Sequence, residues 1–191
     1  MMEPSGSPDD GRVTTSLSLE APMRGWLSLL PLVLALALPL ETRPLTAQVV
    51  QITAEQAALR VRYEKGARVV YFYSYSCPYS RREFPAFVDL ARRYAAVGVS
   101  FLAFSLDDDA QVLDAYLGPT QLPFDRQLIV PGEPGSIARA FAAEGIRVPP
   151  KAATPQTVVF GSDGRQVGEV RGMGGAQQAG RWLQRLGFTA E

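Results

Sequence analysis

The sequence predicts an α/β fold in which helices cover both faces of a mixed β-sheet. Between residues 54 and 130, apolar runs of strand length alternate with longer helix-like runs, which is typical of parallel strands joined by crossover helices. Two further strand-like runs follow between residues 156 and 170, and the Gly-rich turn that separates them indicates an antiparallel hairpin. We therefore expect a three-layer sandwich with parallel central strands and an antiparallel edge.

The predicted elements begin and end at local boundary signals. In chain order they are a helix near 54–62, a strand near 68–74, a helix near 78–96, a strand near 99–106, a helix near 109–117, a strand near 126–130, a helix near 134–144, strands near 154–160 and 165–170, and a helix near 176–186. No internal repeat and no second domain are indicated.

Caps and prolines set the helix boundaries. Thr53 and Gln56 have the spacing of a capping box at the start of the first helix. Pro78 is tolerated in the first turn of the second helix, whereas Pro85 in its interior predicts a kink. The run from Asp107 to Asp109 offers caps for the third helix. A metal site there is the alternative, but it needs more oxygen ligands at defined spacing than adjacent acids provide.

The strands are recognised by composition and by the breaks beside them. Residues 68–74 are apolar and aromatic throughout, which is typical of a central strand buried on both faces. Residues 99–106 alternate between apolar and polar types and then become mostly apolar. A Gly-Pro pair separates the third helix from the third strand. The turn at 161–164 joins the two hairpin strands, and the last helix carries one apolar stripe.

Composition excludes several classes of function. The 19 basic and 19 acidic residues cancel and form no long charge block, so nothing indicates nucleic-acid binding. The chain has no histidine, which excludes Ser-His-Asp and Cys-His catalysis and removes the commonest zinc ligand. With a single cysteine besides, we expect no metal site and no cofactor.

Residues 1–47 are interpreted as an export signal. An arginine precedes the apolar stretch Trp26–Leu40, and Ala47 is a small residue suited to signal-peptidase cleavage. Because the stretch is shorter than the roughly 20 residues that span a bilayer, a cleaved signal is favoured over an uncleaved membrane anchor. Met23 is an alternative start. The folded domain is expected over 48–191, in a periplasmic or otherwise extracytoplasmic location, with inner-membrane anchoring as the alternative.

Cys77 is the residue whose chemistry needs an explanation. It stands between a predicted strand and a predicted helix, where the first N–H groups of the helix and the positive end of its dipole favour a thiolate. A single cysteine in an oxidising compartment has no internal partner, so any disulfide it forms involves another molecule. The alternative is an inert, buried cysteine that acts as a small hydrophobe.

Three features together resemble the thioredoxin superfamily. They are Cys77 after an apolar strand, Pro85 eight residues further on inside the helix, and Thr154-Pro155 at the opening of a late hairpin. Within that superfamily, the chain is most similar to the TlpA-like extracytoplasmic thioredoxins. The similarity lies in the Glu83-Phe84-Pro85 run, the 161–164 turn, the export signal, and an extra helix and strand between about 109 and 130, here called the inserted segment. The resemblance extends over about 51–187.

The resemblance implies roles for individual residues. Cys77 would be the redox nucleophile, and the peptide bond before Pro155 would be cis. Thr154 would offer backbone hydrogen bonds to a bound substrate chain, and Glu83 would lie near the thiol and tune it. With Pro78 and Tyr79, the Thr154-Pro155 pair makes up the predicted substrate-binding residues.

One departure from the family changes the implied mechanism. TlpA-like proteins usually carry a second cysteine three residues after the first, whereas this chain has Ser80, so the Cys-Pro-Tyr-Ser run at 77–80 is a monothiol site. It is also similar to a glutaredoxin site with that cysteine replaced. A hydroxyl cannot form a disulfide, so release of a substrate needs an outside thiol. Ser80 is able to donate a hydrogen bond to the Cys77 thiolate and lower its pKa; the alternative is an ordinary first-turn residue.

The leading hypothesis is an exported thiol-disulfide oxidoreductase. It would form mixed disulfides with protein thiols or disulfides, or with glutathione, and it would need an external reductant. The alternative is a non-catalytic thioredoxin-fold module that binds a partner in envelope or cytochrome c assembly. A peroxidase fits poorly, because Val70 and Ser74 stand where peroxiredoxins carry proline and threonine. Finally, Ser80 could be an engineered replacement that traps substrates.

Overall fold

The computed structural model describes residues 48–148 and 154–190. Strands and helices alternate along most of these residues, as the sequence predicts. In chain order they are β1 (Val50–Ile52), α1 (Ala54–Tyr63), β2 (Arg68–Tyr73), α2 (Pro78–Ala95), β3 (Ser100–Ser105), α3 (Ala110–Leu117), β4 (Gln127–Ile129), α4 (Ser136–Ala143), β5 (Gln156–Phe160), β6 (Gln166–Arg171) and α5 (Gly175–Arg185).

The strands form a single mixed sheet in the order β1-β4-β3-β2-β5-β6. The first four strands in this order are mutually parallel, while β5 runs antiparallel to β2 and pairs with β6 as a hairpin. The predicted fold class is therefore confirmed, including the inserted α3–β4 segment. The parallel pair β2–β3 lies at the centre, so the carboxyl ends of these two strands are adjacent at one edge of the sheet.

Helices cover both faces of the sheet and give two apolar cores. On one face, Tyr71 and Tyr73 of β2 pack with residues of α2, α3 and α5. On the other face, Val70 and Phe72 of the same strand pack with residues of α1 and α4. All six residues of β2 are buried, which confirms the prediction of a central strand covered on both sides. A three-residue turn connects this strand to Cys77.

Local signals placed most element boundaries within a few residues. The Thr53 capping box is present at α1, and Asp109 is the cap of α3, where its carboxylate accepts from the N–H groups of Gln111 and Val112. The helix α2 continues through Pro85 as one element, and a kink there stays a prediction. The sequence analysis missed β1, a three-residue strand at the sheet edge that pairs with β4.

The predicted export signal lies in residues 1–47, outside the described residues. Within the part of the chain that the structure describes, no helix combines the length and the apolar character needed to cross a membrane. The division into a signal and a domain over 48–191 stays a prediction.

Candidate active site

Cys77 occupies the N-cap position of α2, at the carboxyl end of β2. Its side chain is half-buried, so the sulfur is neither enclosed in the core nor fully in solvent. The thiol Sγ donates to the carbonyl oxygen of Thr154 at 3.2 Å. The peptide bond between Thr154 and Pro155 is cis, as predicted. The structure thus brings the one cysteine of the chain against the proline loop that opens β5.

Neighbouring donors lower the pKa of Cys77. Partial burial of the sulfur raises its pKa, but this is outweighed by hydrogen bonding to the thiolate from the backbone of Ser80, the hydroxyls of Thr154 and Ser80, and the backbone of Tyr79. In the thiol form the sulfur donates to Thr154, and loss of the proton turns it into an acceptor for these groups. The start of α2 therefore favours the thiolate, in agreement with the sequence argument from helix termini.

Ser80 lies in the first turn of α2 and is almost fully buried, with 1% of its surface exposed. Its Oγ accepts from the N–H of Ser74 at 3.2 Å, which leaves the hydroxyl proton free to act on the sulfur of Cys77. Its carbonyl oxygen accepts from the hydroxyl of Tyr71 at 3.5 Å. The interpretation of Ser80 as a donor to the thiolate agrees with the lowered pKa of Cys77, and this role stays a proposal.

Glu83 directs its carboxylate at the start of α5. Its two oxygens accept from the N–H groups of Gly174, at 3.0 Å, and Ala176, at 2.8 Å. Gly174 is the N-cap of α5 and has no side chain to satisfy these donors, so Glu83 caps that helix from α2. Only 4% of the Glu83 surface is exposed. The predicted tuning of the thiol by Glu83 stays a proposal beside this structural role.

The surface around Cys77 is partly aromatic. Pro78 and Tyr79 are exposed, and 59% of the surface of Tyr79 is open to solvent. Tyr75 is half-buried and lies 6.4 Å, between ring centroids, from Tyr116 of α3. The inserted segment thus brings an aromatic side chain towards the turn that precedes Cys77, and apolar groups are available there for a bound polypeptide.

A buried polar cluster that was not predicted from the sequence lies beside the site. Asp107 is 5% exposed and does not cap α3. Its carboxylate instead accepts from the hydroxyls of Ser74 and Ser105 and from the N–H of Tyr75. The signal that could have identified it is the alignment of β2 with β3, because adjacent parallel strands bring the residues after Tyr73 and Ser105 together.

The fold and the site together define a thioredoxin-like protein with one cysteine at a helix start, facing a cis-proline. The sequence model of the AhpC/TSA family matches residues 45–166, which is more than half of the chain. The chain therefore belongs to the AhpC/TSA family. A comparison with curated proteins finds no significant match.

Solved structures of similar fold include several thiol-disulfide proteins. The solution structure of a putative thioredoxin from Neisseria meningitidis is 17% identical with a TM-score of 0.51, covering 65% of this chain and 77% of that one. StoA from Bacillus subtilis is 18% identical with a TM-score of 0.47, and the match covers 63% of this chain and 85% of StoA. A thiol:disulfide interchange protein of the thioredoxin family from Chlorobium tepidum TLS is 19% identical with a TM-score of 0.48, covering 71% and 90%. At these identities the likeness concerns the fold.

Proposed function

We infer that this protein is a thiol-disulfide oxidoreductase that works through a single cysteine. The observation that carries this proposal is the half-buried Cys77 at the N-cap of α2, with its sulfur 3.2 Å from the carbonyl oxygen of Thr154 in the cis-proline loop. The lowered pKa of Cys77 supports it, because the thiolate is the attacking species in disulfide exchange.

The reaction proceeds in two exchange steps. The Cys77 thiolate attacks one sulfur of a substrate disulfide; a new sulfur–sulfur bond forms to Cys77, and the other substrate sulfur leaves as a thiolate. An external thiolate then attacks the substrate sulfur of this mixed disulfide and releases Cys77 as a thiolate. After these two steps one substrate sulfur is a thiolate and the other is in a disulfide with the external thiol. A second external thiolate attacks the external sulfur of that disulfide, so that the substrate is fully reduced and two external thiols are oxidised to one disulfide. Ser80 cannot perform the second step from within, since a hydroxyl does not form a disulfide.

The residues around the sulfur suit a polypeptide substrate. Once Cys77 is ionised, the carbonyl oxygen of Thr154 loses the thiol proton as its partner and is open to a backbone N–H of a substrate chain. Pro78 and Tyr79 present exposed apolar surface next to the sulfur. Protein thiols or disulfides are therefore the proposed substrates, with glutathione as a small-molecule alternative that the same sulfur can attack.

The proposed TlpA-like, monothiol character and the proposed location of the protein rest on its sequence. The TlpA-like, monothiol character is supported by the Cys-Pro-Tyr-Ser run and by the inserted α3–β4 segment. The proposed extracytoplasmic location, with a cleaved signal or a retained anchor, rests on the interpretation of residues 1–47. In such a location the external reductant would be another exported thiol protein or a small thiol.

We expect reduced protein to form a mixed disulfide at Cys77 when it is mixed with oxidised glutathione. Intact-mass and peptide mass spectrometry would show one glutathione on Cys77, and added dithiothreitol would remove it. Cys77→Ser is the matched control and should gain no adduct. A folded wild-type protein whose Cys77 stays unmodified under these conditions would contradict the proposed function. The same measurement with envelope extract would identify protein partners.

Partner binding separates this proposal from a non-catalytic module. If the surface around Cys77 only binds a partner, Cys77→Ser would leave binding unchanged, whereas a protein that acts by covalent exchange would lose all capture of its partner. A peroxidase is less well supported. Ser74 stands where peroxiredoxins carry threonine, and its hydroxyl is already hydrogen-bonded to Asp107 and Ser76.

A further inference from the structure

We propose that Asp107 is a positioning residue for the active-site turn, which it holds through Ser74 so that Cys77 and Ser80 keep their relative geometry. This proposal rests on the proposed function, because it assigns Asp107 a part in keeping Cys77 reactive. Asp107 follows the end of β3, one strand away from the strand that leads to Cys77. The sequence alone suggests a helix cap for this residue, with a metal site as the alternative.

Both oxygens of the Asp107 carboxylate accept hydrogen bonds. One oxygen accepts from the Ser74 hydroxyl at 2.5 Å, and the other accepts from the Ser105 hydroxyl at 2.5 Å and from the N–H of Tyr75 at 2.9 Å. These donors are neutral, and two of the three belong to the turn that precedes Cys77. A buried carboxylate held in this way fixes the turn strongly, because hydrogen bonds to a charged group are stronger than those between neutral groups.

Ser74 connects Asp107 to both residues of the site. Its hydroxyl donates to Asp107, its carbonyl oxygen accepts from the N–H of Cys77 at 3.2 Å, and its own N–H donates to the Oγ of Ser80 at 3.2 Å. One residue thus holds the backbone of Cys77 and the hydroxyl of Ser80. The orientation of Ser74 therefore decides whether the Ser80 hydroxyl points at the sulfur, and Asp107 sets that orientation.

A purely electrostatic role and a positioning role of Asp107 predict opposite changes in the pKa of Cys77 when the carboxylate is removed. If the carboxylate acted only through its negative charge, its loss would favour the thiolate and lower the pKa of Cys77. If it acts by holding Ser74, its loss misplaces the Ser80 hydroxyl and raises that pKa. Ser74→Ala provides a second variant that leaves all charges in place and removes only the hydroxyl.

The test is the rate of Cys77 alkylation by iodoacetamide as a function of pH. We expect Ser74→Ala and Asp107→Asn to have an apparent pKa about one pH unit above that of the wild-type protein. At pH 7 the rate should fall only about threefold, because a more basic thiolate is also a better nucleophile. Asp109→Asn is the matched control: it removes the same charge two residues away, at the N-cap of α3, and it should leave the apparent pKa unchanged.

A cooperative thermal unfolding transition would establish that each variant is folded. If Asp107→Asn does not fold, the apparent pKa of Cys77 in Ser74→Ala decides whether the positioning role holds. An unchanged apparent pKa in folded Ser74→Ala, or a lowered one in Asp107→Asn, would overturn the positioning role. Failure of the proposed function is distinct, since it would appear in the wild-type protein as a Cys77 that forms no mixed disulfide.

Discussion

Ser80→Cys is expected to turn the monothiol site into one that resolves its own mixed disulfides. Residue 80 lies in the first turn of α2, and its side chain acts on the sulfur of Cys77. A thiol held there competes at an effective concentration of about 1 mM or more, so at micromolar external thiol it should release a bound glutathione about a thousandfold faster. The variant should then accumulate as an internal disulfide.

Stopped reactions analysed by mass spectrometry would measure this change. Ser162→Cys is the matched control, because it adds a second thiol in the exposed hairpin turn that joins β5 to β6. That variant should keep its glutathione adduct on Cys77 as long as the wild-type protein does. A Ser80→Cys variant whose Cys77 adduct is equally long-lived would contradict the account of the site.

Glu83→Ala is expected to cause the largest loss of stability among the site residues. The substitution leaves the half-buried N–H of Gly174 and the buried N–H of Ala176 without their acceptor at the start of α5. The unsatisfied buried N–H of Ala176 costs about 1–3 kcal/mol and the half-buried N–H of Gly174 costs about 1 kcal/mol, so the free energy of unfolding should fall by about 2–4 kcal/mol. Glu83→Gln retains one acceptor oxygen and should lose less.

Urea denaturation would measure the stability of these variants. Asp89→Ala, an exposed substitution on the same helix that removes a 3.8 Å ion pair with Arg92, should change the free energy of unfolding by no more than about 0.5 kcal/mol. A loss of that small size in Glu83→Ala would contradict the capping role. The pKa of Cys77 measured in Glu83→Gln would test, separately, whether Glu83 also tunes the thiol.

Features that depend on neighbouring residues could be predicted from the sequence. The buried strand before Cys77, the helix that Pro78 opens and the cap at Thr53 all follow from patterns within one or two turns of chain. The cis bond at Pro155 and the nucleophilic role proposed for Cys77 came from the resemblance to thioredoxins instead. Both kinds of inference start from short segments that can be recognised in the sequence.

Features that depend on contacts between distant segments could not be predicted in this way. The strand β1 is only three residues long and is defined by its pairing with β4, far along the chain. Asp107 reaches Ser74 only because β2 and β3 are adjacent, and Glu83 reaches α5 across more than 90 residues. Asp107 has a plausible local role as a helix cap, and the role expected for Glu83 came from the resemblance to thioredoxins, so neither long-range contact was predicted.

The pH dependence of Cys77 alkylation in the wild-type protein tests the central claim most directly. Because the folded site stabilises the thiolate, the apparent pKa should lie below the ordinary value of about 8.5 and below that of the same cysteine in urea-unfolded protein. An apparent pKa in the folded protein that equals or exceeds the unfolded value would contradict the proposal that the start of α2 activates this sulfur.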